Sequence, residues 1–593
     1  MSVLLIYPTH ENCAEAEQMI VTLGITARAY PLRTTVETGL SPQNCWNREA
    51  DEAEQLGLPV TATVCEKCRF NDRCRATGYL AGLQQADAAF VALATHKRAE
   101  LVGLNKLAEQ RLFVSVHENP IGMLRQEHEI QHGDILIVKT VLDHALNDPR
   151  QLDWFGESAH AETRDRLYAA VLALRDLVEE LLQAVSTAKN TESWAPTVLT
   201  KLPSGLSWLL FNNIKTAGVR FRGRPWPFLL KAIEGKLASV TILVTERPAT
   251  RSAPARAVKV CVGYEENPPP ESCTVWFNDA TLAAEDLEAV LQRSVQDATP
   301  QGRLDLRKKA VQIPVDVTRR KSSRMLISLV QGILADRPQF RRIGVITHQP
   351  QLPVLRELSP LFRERIVQHS YFGSGQDRSS NSWHANCDLV LILGTPRVPT
   401  EQVLRTLLQT RHSVIGERPR WGELSWVGRT ETGQTIQIAG RGYHDPDWRA
   451  AHQSLVRASL IQAIGRGRGL LESGCEVLVV SNEECGVPIS DAVCEPLNQR
   501  EAEILEWLRQ DARAFPIRDY IENARTQRDR LLRQLHLSAG HARRLLSGLE
   551  QRGLLRKHIC DHWVLVGHFA ADAAEPLPQP DLSVAACSSP DIS

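Results

Sequence analysis

No G-x-x-x-x-G-K-[ST] segment occurs anywhere in the 593 residues. Gly235-Lys236-Leu237 lacks both a preceding glycine-rich loop and the hydroxyl after the lysine, so the sequence contains no self-contained phosphate cradle. Net charge is missing too: 69 Lys and Arg balance 69 Asp and Glu. That balance excludes a whole-chain polyanion binder and leaves any contact with nucleic acid to local basic surface. No apolar run approaches the ~18 residues of a membrane-spanning helix. The N-terminus, MSVLLIYPTHEN, has no basic leader or small-residue cleavage site, so it reads as a buried strand rather than a signal peptide, and a cytoplasmic location is expected. No internal repeat is visible. The 13 cysteines are odd in number and accompany no export signal, which argues against a disulfide framework and for ligands or buried thiols.

What is present is enough apolar material, 43% of residues, for packed cores in a chain too long for one core, so about three or four domains are expected. Val3 to Tyr7 reads as a buried strand broken by Pro8, and Cys13 to Leu23 has helical spacing. Residues 40 to 80 read as loop-rich. Ala86 to Ala94 and Leu112 to Val116 read as further buried strands of a parallel sheet. A long helix is expected over 160 to 187. Strands at Val240 to Thr245, Lys259 to Val262 and Thr274 to Asn278 are expected to resume the first sheet. A second α/β pattern has strands at Ile343 to Thr347, Leu389 to Leu393 and Glu476 to Ser481.

Cys45, Cys65, Cys68 and Cys74, spaced C-x19-C-x2-C-x5-C, stand out from the other, scattered cysteines. Thiolates are soft anionic ligands, and four together suit zinc or an iron–sulfur cluster. Common four-cysteine zinc sites use two short knuckles, and only one short pair occurs here. The asymmetry favours the cluster, with zinc as the alternative.

These cysteines lie between Pro8-Thr9-His10 and His117-Glu118-Asn119-Pro120, and far downstream comes Gln462-Ala463-Ile464-Gly465-Arg466-Gly467-Arg468. In that order the motifs resemble superfamily 2 helicases of the XPD/DinG type, closest to phage- and plasmid-associated relatives, over about residues 1 to 490. The resemblance implies two RecA-like parallel-sheet domains of α/β class, a cysteine-rich metal insert holding a 4Fe–4S cluster, and a helical insertion. It makes Thr9 part of motif Ia, Thr281 of Asn278-Asp279-Ala280-Thr281 part of motif III, and Asn381 of Arg378-Ser379-Ser380-Asn381 part of motif V. All three would touch nucleic acid. Glu118 matches the carboxylate that activates the attacking water, while His117 replaces the Asp that holds magnesium, and a neutral imidazole is a poor partner for that cation. Gln462, Arg466 and Arg468 look like motif VI, with the arginines reaching the γ-phosphate. The family's Walker A would lie upstream of Met1, so ATP and magnesium would require a P-loop supplied upstream or by a separate polypeptide.

The expected domains are residues 1–150 (first sheet domain, with the metal insert at about 40–80), 151–235 (helical insertion), 236–318 (the remainder of the first sheet), 319–490 (second sheet domain) and 495–568 (winged helix), followed by a disordered tail, 570–593. The winged helix is read from helices followed by S-A-G-H-A-R-R-L-L-S-G-L-E-Q-R-G-L-L-R-K and D-H-W-V-L-V. There Arg543 and Arg544 flank a recognition helix suited to duplex DNA, with single-stranded DNA expected in the motor. Arg220, Arg222 and Arg224 interleave with Phe221 and Trp226; a surface strand explains them nearly as well as a nucleic-acid contact, and no site is assigned. The alternative to a helicase-like protein is a non-catalytic, metal-stabilised DNA-binding protein derived from one.

Overall fold

The computed structural model describes residues 2–37, 42–147, 161–198, 201–247, 256–279, 281–298, 307–318, 321–374, 383–411, 419–492, 495–514, 524–559 and 562–566. No described helix is long and apolar enough to cross a membrane. The chain forms two compact units, one drawn from 1–301, 398–422 and 442–458, the other from 302–397, 423–441 and 459–593.

In the first unit, strands β1 (Val3–Tyr7), β2 (Ala27–Ala29), β3 (Val91–Thr95) and β4 (Phe113–His117) pair in parallel. Their apolar runs fit this role, since parallel strands are covered on both faces; β3 is buried throughout. The strand expected over Ala86 to Ala94 is shorter and later, because Tyr79–Ala88 is helical. Residues 40–80 are not mainly loop. Short helices form at Glu49–Gln55, Val60–Thr63, Cys65–Lys67 and Asn71–Thr77, each too brief to show a helical period; Cys65 and Cys74 lie in them and Cys45 and Cys68 in the connections.

Next come β5 (Arg125–Gln131), β6 (Glu192–Ser193), β7 (Leu237–Arg247) and β8 (Arg256–Glu266), a separate antiparallel sheet in the order β5-β8-β7-β6. The expectation that Val240 to Thr245 and Lys259 to Val262 resume the first sheet is therefore corrected: both belong to this second sheet. Only β9 (Thr274–Asn278) returns, pairing in parallel with β4 and completing the order β2-β3-β1-β4-β9. An apolar run shows burial without revealing its partner, and that explains the misplacement.

Helices His132–Asn147, Ala161–Thr187, Leu206–Ala217 and Pro225–Ile233 share a core with the antiparallel sheet, around the fully buried Phe211, Trp226 and Phe228. The arginine-rich passage before Trp226 is tied to this core. Phe221 meets the Trp226 ring edge-on at 6.0 Å, and the buried Asp134 carboxylate accepts from the backbone N–H groups of Arg222 and Gly223, both at 2.9 Å. Helix Thr400–Arg411 also belongs to this unit, its Arg405 pairing with Glu127, Glu129 and Glu401. Part of the span expected to form the second sheet domain, 319–490, thus packs with the first.

The second unit is built on β10 (Ala310–Ile313), β11 (Ile343–Thr347), β12 (Ile366–Tyr371) and β13 (Leu389–Leu393). After a two-stranded sheet of β14 (Trp421–Arg429) and β15 (Thr435–Tyr443), β16 (Glu476–Val480) completes a five-stranded parallel sheet ordered β10-β16-β13-β11-β12. It begins nine residues before 319, since β10 starts at Ala310. Helices Gln499–Ala514, Ala524–Gln534 and Ala539–Gln551 follow, then the antiparallel pair β17 (Leu555–Ile559) and β18 (His562–Leu565). Leu546, Leu549 and Leu565 from this C-terminal segment share one continuous core with Leu391 and Leu478 of the sheet.

Candidate functional site

In the first sheet the connection leaving β1 leads toward β2 and the one leaving β4 leads toward β9, so the chain departs in opposite directions from two neighbouring strands. Ligand sites in open parallel sheets form outside the carboxyl ends of strands at such a reversal. Residue pairing places Tyr7 beside Thr95 and His117 beside Asn278 in one row along that edge. Thr9, Glu118 and Thr281 come just past the ends of β1, β4 and β9 and so reach the same edge of the sheet.

Local chemistry fixes each position. The Thr9 hydroxyl caps helix His10–Thr22, accepting from the Asn12 N–H at 3.2 Å and donating to Asn12 Oδ1 at 2.8 Å. Glu118 is exposed and holds a left-handed φ of 67°, its N–H bonded to the Asn278 carbonyl at 2.9 Å. A non-glycine residue in that region is uncommon, and such backbone strain gathers at functional sites. Thr281 closes a turn on Asp279 Oδ1 through both its N–H (2.6 Å) and its hydroxyl (2.7 Å).

Sequence reasoning singled out His117 but missed its surroundings. Its ring stacks on Tyr7 at 4.4 Å and 14°, with Nε2 3.3 Å from Ser115 Oγ. His96 Nε2 donates to the His117 carbonyl at 2.7 Å. Burial lowers the pKa of His117, with His96 adding to the effect, and burial lowers those of His10 and His96 too. His96 and His117, both held toward the neutral form, thus meet where a magnesium carboxylate was sought, and His10 comes three residues past the end of the neighbouring strand β1. The available signal was positional: each histidine ends an apolar strand or stands within three residues of its end.

The four cysteines come together. Cys45, Cys65, Cys68 and Cys74 line one cavity of about 20 Å³ in the first unit. Cys74 Sγ accepts from the Leu80 N–H at 3.4 Å and Cys68 Sγ from Asn47 Nδ2 at 3.6 Å, the kind of bond that tunes metal thiolates. Burial raises the Cys45 thiol pKa; it pushes that of Cys65 up to about 11, with Cys45 and Cys74 adding to it. Crowded sulfurs that resist ionisation alone are suited to a cation that compensates their charge. Among the described residues no group of three or more His, Cys, Asp or Glu side chains is closed around a point as a bound ion requires. The donor set fits a four-thiolate centre, and a cavity this small admits a single ion with less movement than a cluster.

Helix Pro446–Ile464, which enters the second unit at residue 459, runs into the turn Gly465–Gly467, and Arg468 follows with a left-handed φ of 48°. The Gly467 carbonyl accepts from the Cys475 N–H at 2.8 Å, and half-buried Arg466 turns its Nε back to the Gln462 carbonyl at 3.2 Å. Arg466 and Arg468 therefore sit on a braced loop, and Gln462 in the last turn of the helix before it. Arg543 and Arg544 are exposed on helix Ala539–Gln551 and form no ion pair among the described residues. Arg552, in contrast, pairs with Asp336 at 3.4 Å and is a tether. Asn381 lies outside the described residues.

At the carboxyl edge of the second sheet, sequence reasoning missed Glu483. It is 5% exposed, and burial pushes its pKa up to about 7 despite Arg397 at 3.6 Å. No protein-family model matches the sequence, and no curated protein matches it significantly.

Proposed function

We propose that the chain is a helicase-like protein of the XPD/DinG type that acts on nucleic acid, DNA in the first instance, through two RecA-like units. The observation that carries the proposal is the convergence of Thr9, His117-Glu118 and Asp279-Thr281, from three separate strands, on the carboxyl edge of one parallel sheet. Their order in the sequence is that of the motifs they resemble. Glu118 would orient the attacking water, and Arg466 and Arg468 would neutralise charge on the γ-phosphate. The cysteine cavity would hold a 4Fe–4S cluster, for which the asymmetric spacing speaks, or zinc, which its small volume favours. Beside it, Arg73 lies over the Trp46 ring at 4.0 Å and Arg69 over Phe70 at 4.7 Å, a basic and aromatic surface suited to a single strand. The three C-terminal helices and the β17–β18 pair follow winged-helix order, with Arg543 and Arg544 free to meet duplex phosphates.

A second reading, a non-catalytic DNA-binding protein derived from a helicase, is favoured by His117. Its ring is stacked on Tyr7 and held neutral where magnesium would need a carboxylate. In the first reading ATP and magnesium need a phosphate cradle supplied upstream or by a separate polypeptide. ATP hydrolysis by the purified chain, with and without single-stranded DNA, is the test: turnover near background is expected, and DNA-stimulated turnover at ordinary helicase rates contradicts it.

A further inference from the structure

A cavity of about 900 Å³ lies within the second unit, and neither Glu483 nor the arginine loop lines it. Its floor is helix Ser323–Ala335, and its walls are residues 357–360 and the segment around Pro496 to Glu503. Such a volume matches the upper range of ligand pockets. Much of the lining is apolar, with Met325, Ile327, Leu358 and Pro360 facing a space where water gains little.

Two features ask for a ligand. Gln331 is 2% exposed, and its Oε1 accepts from the Ser359 N–H at 3.0 Å, which leaves Nε2 as a buried donor with no partner. The neighbouring Ser359 hydroxyl has none either. Unpaired buried polar groups are costly enough that they normally find a partner. At the other end Arg324 is exposed, forms no ion pair among the described residues and stands in the first turn of the helix, where the backbone dipole adds positive potential. Glu357, exposed and unpaired near Gln331, disfavours an anion there and so orients whatever binds.

We propose that this groove binds a short extended peptide of a partner protein. An acidic residue would sit at Arg324, apolar side chains over Met325, Ile327 and Leu358, and a backbone carbonyl on Gln331 Nε2. Seven residues of helix separate Arg324 from Gln331, about 10 Å. An extended chain covers that distance in three or four residues at roughly 3.3 Å each.

The probe is a fluorescein-labelled positional library of tetrapeptides, titrated against the full chain by polarisation. Selection of Asp or Glu at one end and Leu, Ile or Met in the middle is expected. Arg324→Glu, at an exposed position, is expected to weaken the best peptide at least about tenfold and shift the preference toward Lys, and Gln331→Met to weaken it similarly. The absence of any sequence preference, or equal binding by Arg324→Glu, overturns the proposal. So does an apolar small molecule retained by the purified chain in native mass spectrometry, which would assign the groove to that ligand.

Discussion

Replacing Gly467 with alanine places a methyl group where the arginine loop has no room. The new Cβ would lie 2.3 Å from Val477 Cγ2 and 3.0 Å from the Cys475 carbonyl oxygen. Val477 is 3% exposed on the interior strand β16, and Cys475 carries the N–H that holds the loop, so neither neighbour can swing aside. Forcing an extra methyl group into packed surroundings costs about 1–3 kcal/mol. At about 2–4 °C per kcal/mol for a unit of roughly 150–250 residues, the melting of the second unit drops by about 2–12 °C. Gly465, two positions earlier in the same turn, supplies the control, because a Cβ there meets nothing within 4 Å. Gly465→Ala is expected to melt within about 1 °C of the parent, since an open surface position changes stability by under about 0.5 kcal/mol. Scanning fluorimetry of the three proteins side by side decides the matter. Equal melting of Gly467→Ala and Gly465→Ala would refute the reasoning and remove the basis for calling the loop braced.

Two further outcomes are expected. Glu483, with its pKa pushed up from 4.5 to about 7, keeps a proton in the folded state that the unfolded chain has already released, so its contribution to stability is present below about 4.5 and is lost as pH rises through 7. Glu483→Gln should therefore flatten the decline in melting temperature between pH 4.5 and 8; an unchanged slope counts against the buried acid as its source. Substituting Arg543 and Arg544 together with alanine should weaken duplex binding and reduce the log–log salt slope by about 2. Unchanged binding would leave the C-terminal helices as a cap on the second unit, which the continuous core and the Arg552 tether already favour.

Where burial alone decides an element, sequence was sufficient: Val3–Tyr7, Ile343–Thr347 and Leu389–Leu393 fall at the residues expected, as does the 161–187 helix. Pairing was not legible, because the apolar runs in β7 and β8 look the same whether their neighbours are parallel or antiparallel. The return of residues 398–422 and 442–458 to the first unit was hidden for a related reason. Arg405 finds Glu127 and Glu129 across more than 270 residues of chain, and nothing local announces it. At the candidate site the cysteines could be grouped by spacing, and they do line one cavity. The histidines could not, since each depends on a different strand end, and the sheet order β3-β1-β4 is what sets those ends along one edge.

The four-thiolate centre is the part of the functional proposal that one measurement reaches most directly, metal analysis of the anaerobically purified chain. The account predicts a brown protein with about four iron and four acid-labile sulfide per chain, and loss of both colour and iron in Cys65→Ser. One zinc per chain without colour would overturn the cluster, and a metal-free chain whose stability is untouched by Cys65→Ser would contradict the centre altogether.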